Sequence, residues 1–216
     1  DILRRNMVDG IFYASHFLSR EFLEELRVPA VTLNNEFSGL PVIHSDDVQG
    51  GYMTARHLIG KGCKRMVHIS GQQDLHLSAD ARMTAFIKEC ERQGVACKVY
   101  SASEQMLWDM EYMPLINRIF MENPDMDGIF ASSDIIAAQC IQMAGTLGYR
   151  IPEDIKIVGY DDICLSRLLY PPLTTVHQDI KGLAKTAMDT VEELIEGKQV
   201  PESQVVSVSF VERKTT

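Results

Sequence analysis

Two adjacent carboxylates, Asp161 and Asp162, end an apolar run, Ile155–Tyr160. A carboxylate offers about four lone-pair sites, so a single aspartate can orient a polyhydroxylated ligand. The run reads as a buried strand, and open α/β sheets take ligands beyond the carboxyl ends of their strands. That makes Asp161 a candidate ligand contact. A turn or helix N-cap is the competing reading, and it suits Asp162 better. Arg82, in SADARMTAF, brings complementary chemistry. Its planar fork of five donors suits two neighbouring hydroxyls better than a lysine would, and a solvated helix arginine is the alternative. Trp108 is the only tryptophan. An indole stacks on an apolar ligand face, but a lone tryptophan early in a helix is more often a packing residue.

The elements that must position these groups alternate along the chain. Asp9–Ala14, Pro29–Leu33 and Val42–His44 read as strands, with a helix from Ser19 through Leu26 between the first two. A helix over 47–61 carries Val48, Tyr52, Ala55 and Ile59 at 3.6-residue spacing and stops at Gly62. Strand Met66–Ser70 leads through a loop to a helix over 78–93 with Met83, Phe86, Ile87 and Cys90 inward. Val95–Ser101, a helix over 107–122, strand Gly128–Ala131 and a helix over 134–147 follow. Gly148 and Pro152 end that helix before the Ile155–Tyr160 strand. Pro171–Thr175 reads as a stiff crossover, Ile180–Glu196 as a helix with Leu183, Ala187, Val191 and Leu194 inward, and Gln204–Ser209 as a last strand. Strands separated by helices of about ten residues or more imply parallel, doubly wound sheets.

Composition narrows the function classes. The 216 residues are 45% hydrophobic with mean hydropathy −0.07, enough for a real core, and no run approaches the ~18 apolar residues of a membrane span. A net charge of −9 argues against this stretch gripping nucleic acid by itself. Five cysteines, odd in number and without CxxC spacing, read as reduced residues of a cytosolic protein. The histidines neither cluster nor show HExxH spacing, so no metal site is expected, and no cofactor. There is no GxSxG elbow, GxxxxGK[ST] loop or GxGxxG turn. Asp46-Asp47 and Asp161-Asp162 read as negative charge at helix N-termini before they read as a catalytic carboxylate pair.

The string YRIPEDIKIVGYDDICLSRLLYPPLTTVHQD over 149–179, together with SADAR and the tail VSFVERKTT, resembles the effector domain of the lactose/galactose repressor family, the sugar-responsive bacterial transcription regulators. The resemblance spans essentially the whole chain. It implies an α/β, two-lobed, periplasmic-binding-protein-like fold whose lobes are joined by three crossovers, with the sugar in the cleft between them. Residues 1–46 plus 178–207 would form the first lobe and 47–177 plus 208–216 the second. The first lobe would lack its opening strand–helix–strand, leaving Ile11, Tyr13, Val31, Leu33 and the 180–196 helix short of cover.

For the site, the resemblance implies that Arg82 and Asp161 hydrogen-bond the sugar. Ser133 stands where several members carry a sugar-contacting Asn, although capping the following helix is an equal reading. Asn34 stands at a first-lobe cleft position, with a turn asparagine as the alternative. Gln178 lies at a crossover, as hinge or ligand contact, while His76 and Ser78 line the cleft or form an ordinary polar loop. Trp108 falls near a point where a cleft aromatic is common. Ala85, where many members have glycine, implies slightly looser helix packing. The partners implied are a small sugar, a second copy of the chain, and operator DNA reached through a helix-turn-helix domain absent from this sequence. The protein would be cytoplasmic. A stand-alone periplasmic-type sugar receptor is the alternative, and a carbohydrate-active enzyme comes third.

Overall fold

A computed structural model describes residues 8–14, 28–34, 39–71 and 78–216, with 78 and 79 by backbone alone. The expected 19–26 helix and His76 lie outside these residues. In chain order the described elements are β1 (Ile11–Tyr13), β2 (Ala30–Leu33), β3 (Val42–Ser45), α1 (Asp47–Gly60), β4 (Arg65–Ser70), α2 (Ser78–Arg92), β5 (Ala96–Ser101), α3 (Glu104–Asp109) and α4 (Met113–Glu122). They continue with β6 (Gly128–Ala131), α5 (Asp134–Thr146), β7 (Lys156–Asp161), α6 (Cys164–Leu168), β8 (Thr174–Gln178), α7 (Ile180–Ile195), β9 (Ser203–Val206) and β10 (Val208–Val211). They fall into two compact units, one reaching Asp46 and resuming over Asp179–Ser207, the other Asp47–Gln178 with Val208–Thr216.

In the first unit a parallel sheet runs β1-β2-β3-β9. Helix α7 lays Leu183, Ala187 and Val191 on Val31 and Ile43. Asp179 caps it, accepting from the Gly182 N–H at 2.9 Å. Tyr13 and Val31 are buried, so the expected loss of cover is not met there. Val31 packs in the α7 cluster, and Gly10 lies against Val191 and Ile195.

The second unit holds a six-stranded sheet, β10-β8-β7-β6-β4-β5, parallel except where β10 runs antiparallel to β8. Alternate side chains of a strand point to opposite faces. Met66, Phe130, Val158, Tyr160 and Val176 accordingly meet Ala55, Leu58, Phe86 and Cys90 of α1 and α2. Val67, Ile69, Ile129, Ala131 and Ile157 meet α4 and α5 on the other face. Each such fully buried aliphatic or aromatic side chain contributes about 1.5–3 kcal/mol. The chain steps outward from β4 to β5 and then returns to the other side of β4 as β6, so the topological switch lies between β4 and β6.

Several sequence expectations are corrected. The 107–122 helix is two helices: Met110 turns left-handed at φ 51, and Pro114 stands in the first turn of α4, where its missing N–H is harmless. The 171–175 crossover flows directly into a strand, β8, whose polar Thr174 and Thr175 are fully buried between β7 and β10. The single 204–209 strand is two strands in two sheets, divided at Ser207. Helix α6 was not foreseen. The buried face of α1 is Gly50, Gly51, Thr54, Ala55 and Leu58, with Val48 exposed. Gly50 and Gly51 cause this rotation, because a Cβ on Gly51 would stand 2.2 Å from the Arg82 carbonyl oxygen. The same contact corrects the looser packing expected from Ala85: the small residue sits on α1 instead, and Ala85 is buried.

Candidate functional site

The carboxyl ends of β4, β6 and β7 bring together Arg82, Asp47, Tyr160, Asp161 and the backbone of Ser132. Their positions follow from local rules. Asp47 opens α1, where an acidic residue favours the helix dipole. Arg82 lies in the second turn of α2 on the face shared with Phe86, Glu89 and Cys90, all buried. Tyr160 points toward α1 and α2 because it alternates with its buried neighbours along β7.

Arg82 is only 6% exposed. Its Nε donates to Asp47 Oδ1 at 2.9 Å, and Nη2 lies 2.7 Å from the same oxygen. Its Nη1 donates to the Ser132 carbonyl at 2.8 Å, at the topological switch. The guanidinium lies over the Tyr160 ring, 3.5 Å from its centroid. These partners leave two of the five N–H donors for another acceptor.

Asp161, half-buried at the tip of β7, accepts from Gln178 Nε2 at 2.6 Å. Burial pushes its carboxyl up to about 6, against the opposing pull of Arg82 and Gln178. Asp134, fully buried at the start of α5, accepts from Thr175 Oγ1 at 2.6 Å and from the Ile163 N–H at 2.9 Å. Burial lifts it to about 7; the Thr175 hydrogen bond opposes that rise and the Asp161 charge adds to it. Asp162 points away from Asp161, to Arg213, Ser166 and His177. It does not cap α6, whose N-cap is Ile163, so the capping reading is corrected. Burial raises its carboxyl, but hydrogen bonds from Arg213 and Ser166 outweigh that and hold it low.

The remaining expected residues divide. Gln178 closes β8 in the second unit, not the first, and there it holds Asp161. Ser133 caps α5, accepting from the Ile136 N–H at 3.3 Å. Asn34, in the first unit, takes φ 57 after β2 and accepts from the Ser45 N–H at 3.2 Å, which is the turn reading. Trp108 is 58% exposed on α3, so it is not a core residue. Ser78 opens α2. The sequence reading missed Asp47, Tyr160 and Arg213 as parts of this cluster. For Tyr160 a signal existed, since the residue before a strand-tip aspartate faces the helix layer. Among the described residues, no group of three or more metal-ligating side chains forms a cation site.

The geometry agrees with known proteins. Residues 55–216 match the model of the periplasmic binding protein-like domain. A ribose operon repressor from Halalkalibacterium halodurans is 33% identical over 99% of this chain, which spans 64% of that repressor's length. A periplasmic binding protein/LacI transcriptional regulator from Alkaliphilus metalliredigens, solved with D-xylulofuranose, is 26% identical with a TM-score of 0.83, over 100% of this chain and 80% of that one. A LacI family regulator from Enterococcus faecalis, solved with ribose, is 25% identical with a TM-score of 0.85, over 100% and 79%. The fold and the matched domain define a periplasmic-binding-protein-like effector domain. The chain belongs to the periplasmic binding protein-like domain family, and it is similar to the ribose operon repressor and LacI regulators just named.

Proposed function

We propose that this chain is the effector-binding region of a sugar-responsive operon repressor. A small sugar would bind at the carboxyl edge of the six-stranded sheet. The observation that carries the reading is the pairing, at one strand edge, of a rigidly held arginine with spare donors and an aspartate with spare acceptors. Arg82 donates to ring or hydroxyl oxygens, and Asp161 accepts from hydroxyls. Gln178 orients Asp161, Asp47 orients Arg82, and Ser133 and Trp108 flank the same edge. Ser78 would contribute from the start of α2.

Binding alone does not regulate. A ligand shifts DNA affinity only by its differential affinity for two arrangements of the protein. Operator DNA would be contacted by a helix-turn-helix domain outside this chain, in a homodimer, in the cytoplasm where the operator is. The ribose operon repressor among the relatives and the sugar-bound neighbours support this reading over a stand-alone receptor or an enzyme.

A thermal-shift panel of pentoses, hexoses and disaccharides tests it. A sugar at ~100 times its dissociation constant stabilises by about 2.7 kcal/mol. The active sugar should be bound but recovered unchanged after prolonged incubation. No shift with any sugar, or conversion of one, would sink the proposal.

A further inference from the structure

Asp161 and Asp162 are consecutive non-glycine residues with positive φ, 107 and 56. Side chains resist this backbone region, and such residues persist only where the surroundings over-determine them. The C-terminal tail supplies that constraint. We infer that Arg213 is a positioning residue for Asp161, holding the strand-end backbone through Asp162 so that the Asp161 carboxylate faces its ligand. The ligand part of this inference rests on the sugar-binding reading above; the conformational part does not.

The chain of contacts is continuous. Arg213 Nη2 donates to Asp162 Oδ1 at 2.5 Å, and Ser166 Oγ donates to the same oxygen at 2.9 Å. His177 Nδ1 meets the other oxygen at 3.1 Å. Arg213 is itself fixed. Its Nη1 donates to the Leu173 carbonyl at 2.7 Å and lies 3.2 Å from Ser166 Oγ, while its backbone N–H donates to Thr174 Oγ1 at 2.9 Å. The pair is screened from solvent, the side chains being 15% and 9% exposed. On the far side of the strained pair, the Ile163 N–H is held by Asp134. Asp162 thus accepts from three donors and the Ile163 N–H is held by Asp134, so the backbone just after Asp161, the last residue of β7, is constrained from both sides. Only a guanidinium can serve the carboxylate, the hydroxyl and the carbonyl at once, because its fork is planar and multidentate.

The test compares Arg213→Met and Arg213→Lys with Thr215→Val. Thr215 is a fully buried tail residue, bonded to Ile157 and Thr174 but not to Asp162. NMR couplings that report φ at Asp161 and Asp162, and calorimetry with D-ribose, are read on each variant. Arg213→Met is expected to move both φ values and to weaken D-ribose binding by about 10- to 100-fold, a loss on the scale of one charged hydrogen bond. Arg213→Lys should recover part of both. Thr215→Val should lower the melting temperature while leaving φ and affinity in place. Unchanged φ in Arg213→Met overturns the inference whatever the ligand data show. If the wild-type chain ignores D-ribose while φ moves in the variant, the positioning role stands and ribose is removed as the ligand.

Discussion

The Arg82 guanidinium lies 3.5 Å from the centroid of the Tyr160 ring, with Asp47 at its edge. A desolvated cation over an aromatic face is worth about 2 kcal/mol, and here the ring also fixes the plane of the fork. Tyr160 is fully buried against Gly50. The arginine is therefore not a flexible arm that finds its ligand. It is a preset donor surface, clamped from beneath and from one side.

Replacing Arg82 by Ala should cost twice. Lost charged hydrogen bonds of about 1.5–3 kcal/mol weaken sugar binding by about 10- to 150-fold. An unpaired, buried Asp47 further destabilises the fold by about 3–5 kcal/mol. Arg82→Ala with Asp47→Ala should restore much of the stability and none of the affinity. Denaturation and calorimetry on the three proteins separate the two effects. Full affinity in either variant would remove Arg82 from the site.

How much of this was legible in the sequence depends on the element. Strand and helix alternation was readable because parallel strands are short apolar runs and their helices end at Gly62, Gly94 and Gly148, all at positive φ. β8 was hidden because its buried face is made of threonines, whose hydroxyls find Asp134 and the tail, partners that no local pattern reveals. Arg82 and Asp161 stood out by type and position. Asp47 did not, because an acidic residue at a helix start has a sufficient local explanation. The α1 face was misjudged for a related reason: two glycines carry no hydrophobic signal, yet they decide which side packs.

Gly51 gives the second test of the clamp. Its position faces backbone, so Gly51→Ala must push α1 from α2 by way of the Arg82 carbonyl. Overpacking of this kind destabilises by about 1–3 kcal/mol and should weaken sugar binding by moving Arg82 relative to Asp47. Gly60→Ala, at the open end of the same helix, meets no atom within 4 Å and should be neutral or slightly stabilising. Equal effects of the two substitutions on the melting temperature would contradict the packing account.

The proposed homodimer has a candidate surface in the second unit. Leu168 and Tyr170 are 75% and 95% exposed at the end of α6. Burying such side chains contributes about 1.5–3 kcal/mol each, so Leu168→Glu with Tyr170→Glu should weaken self-association by well over about tenfold. Sedimentation of the full-length protein should show monomer, with sugar affinity retained. An unchanged dimer would place the interface elsewhere.

This chain by itself should ignore DNA. With 21 basic against 30 acidic residues it lacks the cationic stripe that displaces counterions from phosphates. A gel shift at low salt and micromolar protein should show free DNA only. Retardation would mean that part of the DNA-contacting surface lies within these residues.

Asp134 predicts a pH signature. Its folded carboxyl is raised to about 7 from an ordinary 3.8, so the folded chain holds a proton that the unfolded chain releases. Stability from this group is therefore greatest below about pH 4 and declines as pH rises to 7, by up to about 4 kcal/mol. His68, buried and lowered to about 3, acts in the opposite sense, destabilising the fold as pH falls below 6.5. The wild-type profile alone mixes the two. Asp134→Asn removes the first while His68 contributes to both proteins alike. The asparagine oxygen still accepts from Thr175, while the bond from the Ile163 N–H is lost at every pH. Urea denaturation at pH 4.5 and pH 8 should show the wild type losing about 3 kcal/mol relative to the variant. Parallel profiles would show that Asp134 is ionised in the folded protein at neutral pH, its burial offset by Thr175 and Ile163.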